Sequence, residues 1–211
     1  MKELTAVRTL VRGQALMNDL VAVEALFGRT VVDAFFDRLT DEQRASAKAG
    51  FEPSRWYDDD IQLRLVTLLA ERATPFELFA VGVSISRHNI SSVQGFLARI
   101  VGPRVLLRRA SALWSYWRDT GSMHVERFEE GAATVVVRDN PLLPHPAYAT
   151  TYGGACGYMV AVAGAANVRL SATSVSASMV RYDVRWSRAP MTDAEGFSVS
   201  DAIAWCDARW R

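Results

Sequence analysis

The stretch TGSMHVERFEEGAATVVV, residues 120–137, decides the fold. Before it, apolar residues recur every three or four positions; within it they alternate and β-branched residues accumulate, so the chain passes from helix to strand at Thr120-Gly121. Met123–Phe128 reads as one strand, Glu129-Glu130-Gly131 as a turn, and Ala132–Val137 as the returning strand of a hairpin. Downstream, 168–173 and 179–186 read as a second pair joined by a Ser-rich connection. Between the pairs, 139–146 is a loop broken by Pro141, Pro144 and Pro146. Tyr152–Gly164 is rich in Gly and Ala and reads as a helix whose small side chains let it lie close against a sheet. The expectation is an α+β domain, with a mainly helical first half followed by an antiparallel sheet of about four strands packed against helices.

Upstream, Leu16, Leu20, Val23 and Leu26 precede Gly28, and Val31, Val32, Phe35 and Phe36 follow it, which predicts two helices with a glycine stop between them. Thr40-Asp41-Glu42-Gln43 and Thr74-Pro75-Phe76-Glu77 have the form in which the first side chain and the fourth residue cap each other, so each starts a helix. Residues 50–57 read as a loop. Asp58, Asp59 and Asp60 read as acidic caps on a helix over 61–72. A helical stretch at 93–100 is interrupted by Gly102-Pro103 and continues over 105–118. At the far end, 187–197, with Pro190 and Gly196, reads as a linker before a short helix in which Ile203, Cys206 and Trp210 share a face. Residues 1–186 are thus read as one sensor-like domain and 187–211 as a linker plus an amphipathic helix, expected to dock on its own domain rather than on a partner.

The chain has 211 residues with 24 Lys+Arg against 23 Asp+Glu, and is 50% hydrophobic. A chain of this length buries about 70% of its unfolded surface, so it needs no disulfide framework or structural metal. A net charge of +1 removes the main argument for nucleic acid, a basic surplus. No apolar run approaches the ~20 residues of a membrane span. Two cysteines and an opening without an apolar signal core point to the cytoplasm.

Reactive chemistry finds little support. No glycine-rich phosphate loop is present, and three histidines and two cysteines lie at spacings unlike any zinc site, so neither metal nor cofactor is expected. His88 sits near a helix end, His124 on a strand and His145 between prolines. Ser84 and Ser86 fall inside a helical pattern rather than at a nucleophile elbow. Cys156 would be reactive only as a thiolate, and a buried, hydrophobe-like cysteine is the simpler reading; the chain is read as non-enzymatic. Arg99, Arg104, Arg108, Arg109 and Arg118 form the densest basic feature, read as a solvated face with Arg104, Arg108 and, less closely, Arg118 along one side of a helix. Trp114, Tyr116 and Trp117 lie among them, and aromatics with arginine are the composition of interface hot spots.

Several segments together resemble an uncharacterised bacterial family of about this length, abundant in myxobacteria. They are Val11-Arg12-Gly13, residues 36–45 followed by Ser54-Arg55-Trp56-Tyr57, residues 114–121, Gly154-Ala155-Cys156-Gly157-Tyr158 and Arg181-Tyr182-Asp183-Val184-Arg185-Trp186. In its last third that family resembles 4-vinyl-reductase-type sensor domains and, more distantly, haem-NO-binding domains and small subunits of transport protein particles. The resemblance implies an α+β ligand-sensing or protein-interaction module that often dimerises. This chain departs from the pattern: 173–182 has no cysteines, the Tyr-x-Ser-x-Arg haem clamp is absent, and the helix over 105–118 has no histidine. The reading is a cytoplasmic signalling or scaffold module that binds a partner protein, forms a homodimer and holds a small apolar ligand. Trp114, Trp117, Arg104, Arg108, Tyr152, Cys156 and Tyr158 are the candidate pocket or interface residues. The alternatives are a haem or tetrapyrrole sensor using His88 or His145, and a thiol enzyme based on Cys156.

Overall fold

In the computed structural model, which describes residues 9–90, 92–143, 145–189, 191 and 195–210, strand β1 (Leu10–Arg12) leads into helix α1 (Gly13–Phe27). Gly28, at a φ of +84° that favours glycine, ends α1 and starts α2 (Arg29–Asp37), where the apolar period restarts. Helix α3 (Asp41–Ala49) opens on a reciprocal cap, the Gln43 amide donating to Thr40 Oγ1 at 3.2 Å and the Thr40 amide to Gln43 Oε1 at 3.1 Å. Residues 50–57 are not all loop: β2 (Trp56–Asp58) pairs antiparallel with β1. Three residues are too few to show alternation.

Helix α4 (Asp60–Ala70) is followed by α5 (Pro75–Asn89), which opens on the second expected capping box, at Thr74 and Glu77. Helix α6 (Ser92–Arg108) breaks at Gly102, φ +75°, and Pro103 restarts it where a missing amide costs nothing. Helix α7 (Ala110–Trp117) ends the helical half. Then come β3 (Ser122–Glu129), β4 (Ala132–Arg138), α8 (Pro146–Val162), β5 (Arg169–Ser176), β6 (Met179–Arg185), β7 (Phe197–Ser198) and α9 (Val199–Arg209).

Among the described residues the sheet has five strands in the order β3-β4-β6-β5-β7, antiparallel at every junction. The fifth strand starts at the last residue of the segment read as a linker, where Leu170 pairs with Phe197 and Arg169 with Ser198. Pro190 and residues 192–194 of that segment, and Pro144 of the loop before α8, fall outside the described residues. Val180, Tyr182 and Val184 of β6 alternate into the core against α8. There Gly153 lets the helix approach: a Cβ would lie 2.9 Å from Leu170 Cδ2 and 3.3 Å from Tyr182 Cε1. On its other side α8 meets α5 backbone to backbone. A Cβ on Gly82 would fall 1.7 Å from the Thr151 carbonyl oxygen, and one on Gly154 1.9 Å from that of Phe79.

Helix α9 packs on α5. Cys206 Sγ donates to the Ala80 carbonyl at 3.4 Å, Arg87 pairs with Asp207 at 2.5 Å, and the Trp210 ring stacks on His88 at 4.3 Å.

Candidate ligand cavity

Six helices converge on the inner face of the sheet without filling the space between them. Where large side chains would close the middle, the walls offer Ala15, Ala98, Ala110 and Ala155, and a cavity of about 550 Å³ remains. Its lining is mostly aliphatic, with Val23, Leu65, Leu69 and Val81 from the helices and Val135 and Val184 from the sheet. It reaches the surface between α6 and α7, where the exposed residues Arg109, Ala112 and Tyr116 border it.

One end is polar and is held by a buried network. Asp19 of α1, Gln62 of α4, Arg118 and Tyr148 of α8 all border the cavity there. Gln62 Nε2 donates to Asp19 Oδ2 at 2.6 Å, while the Arg118 guanidinium donates to Gln62 Oε1 and to Asp59 Oδ1. Arg118 is 5% exposed and Asp59 0%, so this ion pair is fully inside the protein. The Tyr148 ring lies 5.4 Å from the guanidinium carbon. Burial pushes the Asp19 carboxyl up to about 7, against the opposing pull of its Gln62 hydrogen bond and of Arg118. Two buried polar atoms here have no hydrogen-bond partner among the described residues, Asp59 Oδ2 and the Tyr148 hydroxyl.

This network corrects two expectations. Asp59 does not cap α4 with its side chain: it precedes the helix but turns inward to Arg118. Arg118 does not share a solvated face with Arg104 and Arg108, which are exposed on α6. It lies one helical turn beyond the buried Trp114 and therefore points to the same interior side.

Among the expected site residues, Trp117, Tyr152 and Cys156 border the cavity. The Cys156 thiol is pushed up to about 12 by burial, which keeps it protonated. Trp114 is core: its indole N–H donates to the Thr120 carbonyl at 2.8 Å and its ring meets Tyr152 edge-on at 5.2 Å. Tyr158 is half-buried on α8, away from the cavity lining. Arg104 lies over the Phe128 ring at 5.5 Å. None of the three histidines borders the cavity. His88 is engaged at Nδ1 with the Ser84 carbonyl at 2.7 Å, His145 Nε2 is 3.5 Å from Thr67 Oγ1, and His124 is 4.0 Å from Glu126. Asp19, Gln62 and Tyr148 were not singled out in the sequence. The usable signal was Asp19 itself, an acid at helical spacing between Leu16 and Val23 on the apolar face of α1.

The outer face of α6 is apolar. Phe96 and Ile100, one turn apart, are each 65% exposed, with Leu97 and Val101 beside them. Residues 78–118 contain six arginines and no Asp or Glu. No helix among the described residues is long and apolar enough to cross a membrane.

Residues 91–187, less than half of the chain, match a family described as "Protein of unknown function (DUF2378)". No curated protein matches the chain. Solved structures do. The Fe(II) unliganded H-NOX protein from K. algicida is 14% identical with a TM-score of 0.65 over 86% of this chain and all of that one. A mutant of the same protein is 15% identical with a TM-score of 0.65, covering 84% of this chain and 97% of that one. An oxygen-binding H-NOX domain related to soluble guanylate cyclases is 13% identical, with a TM-score of 0.56 over 88% and 100%. At these identities the likeness concerns architecture alone, and in architecture the chain is similar to the H-NOX domains over 84–88% of its length.

Proposed function

We propose that this chain is a non-enzymatic sensor domain that holds a small apolar molecule in the interior cavity and passes its state to a partner protein, or to a second copy of itself, through the outer face of α6. The observation that carries the reading is the largely aliphatic cavity of about 550 Å³ at the centre of an H-NOX-like fold. Apolar pockets of this size with a few convergent polar groups are the usual form of small-molecule sites. The exposed apolar patch of α6 supports the output role, because its inner side supplies Ala98, Leu106 and Leu107 to the same cavity.

Two of the solved structures with a similar fold are described by their haem. The residues present here do not fit a histidine-ligated haem. No histidine borders the cavity, Cys156 keeps its proton, and Arg118 is already committed to Asp59 and Gln62. A tetrapyrrole held by shape alone is the second reading, favoured by the architecture and by the cavity's size.

Native mass spectrometry of protein purified from its own host, with its visible spectrum, tests both. The main reading expects a colourless protein carrying a small apolar molecule, lost in a Cys156→Phe variant that fills the cavity. An absorption band near the Soret region, kept on haemin titration and stoichiometric, would transfer support to the second reading. For the output face, replacing Phe96 and Ile100 together by Ser should weaken association by about 2 kcal/mol or more while leaving the thermal midpoint in place. Unchanged sedimentation and pull-down would remove that part of the proposal.

A further inference from the structure

Resting on the cavity reading above, we propose that the inner end of the cavity selects ligands carrying one neutral hydrogen-bond acceptor, a ketone, ester or alcohol oxygen, at the end of an apolar body, with Tyr148 as the donor that receives it. Tyr148 borders the cavity, is 2% exposed, and its hydroxyl has no partner among the described residues. A buried donor left unmade is costly, so a ligand oxygen that completes it gains more than the same contact would in water.

The charges around that hydroxyl decide which oxygen is accepted. Arg118 is the inner end's cation among the described lining residues; its charge is paired with the buried Asp59 carboxylate, and its other terminal nitrogen donates to the Gln62 amide oxygen. A ligand carboxylate would therefore meet no unpaired positive charge there. It would meet Asp19, and behind Arg118 the unpartnered Oδ2 of Asp59. A neutral acceptor carries no such penalty. The burial that holds Asp19 near neutrality points the same way, toward a site that tolerates dipoles and resists added negative charge. Arg109 lies at the mouth, where an anion is still in contact with solvent.

The test is displacement of N-phenyl-1-naphthylamine, an apolar dye with no oxygen acceptor for Tyr148, from the intact chain at neutral pH by matched straight-chain competitors, 2-undecanone, decanol and decanoate. The ketone and alcohol should displace the dye at about tenfold lower concentration than the carboxylate. Tyr148→Phe should weaken the ketone by about five- to tenfold, with dye affinity and thermal midpoint kept. Asp19→Asn should strengthen decanoate and leave the ketone within about twofold. Dye binding with no preference among competitors, or a ketone unaffected by Tyr148→Phe, overturns the head-group inference and leaves the cavity reading standing. Failure of dye and all competitors to bind overturns both.

Discussion

Helices α5 and α6 both wall the cavity, and their apolar residues have opposite fates. From Leu78 to Ser84 every residue of α5 is buried, with α8 on one side, at van der Waals contact through Gly82 and Gly154, and α9 on another. The first segment of α6 buries Ala98 and leaves Phe96, Leu97, Ile100 and Val101 in solvent. Composition does not separate these helices; the neighbours do. One is a fixed post, and the other is a thin wall broken at Gly102 that can shift at little cost.

The contrast breaks first at the glycines. Gly154→Ala places a methyl within 1.9 Å of the Phe79 carbonyl oxygen, so α5 and α8 must part, and denaturant unfolding should show a loss of about 3 kcal/mol or more. The same change at Gly95 of α6 meets only Val162 at 3.4 Å and Ile90 at 3.8 Å, and should be neutral or stabilising by up to about 1 kcal/mol. Equal losses at both positions would erase the distinction.

Arg118→Met strips the partner from a buried carboxylate and should cost about 3–5 kcal/mol. A loss below about 1 kcal/mol would mean that Asp59 reaches water.

Asp19 sharpens the picture through pH. Its folded carboxyl keeps its proton up to about 7, against an ordinary value of 3.8. Its contribution to stability is therefore full below the lower value and is lost as pH rises through the upper one. Asp19→Asn has no proton to lose, so above that range it should be more stable than the native chain by up to about 4 kcal/mol, with the advantage vanishing in acid. Parallel stability–pH curves for the two proteins would rule this out. A smaller loss than at Gly154 belongs to Gly102→Ala: the backbone at φ +75° strains any side chain, and about 1–3 kcal/mol should be lost although the space around it is open.

What could be read from the sequence was local. The capping boxes at Thr40 and Thr74, the stop at Gly28 and the break at Gly102 each need only neighbouring residues, and all four are where the sequence places them. The hairpin β3-β4 was legible because its alternation runs over many residues. Strands β1, β2 and β7 were not: each is two or three residues long and exists only because a distant segment offers an edge. The cavity was invisible because it is a deficit shared by alanines on four separate helices. The Arg118–Asp59 pair escaped because each member had an ordinary surface explanation, and only the one-turn spacing of Arg118 from Trp114 hinted otherwise.

That pair also orders events as the chain is made. Asp59 leaves the ribosome fifty-nine residues ahead of the guanidinium that neutralises it. Until Arg118 follows, the early helices hold a carboxylate they cannot bury without penalty, so their final packing waits for α7. The helical half is thus no free-standing unit, and a fragment ending before Arg118 is expected to stay loosely packed at α4.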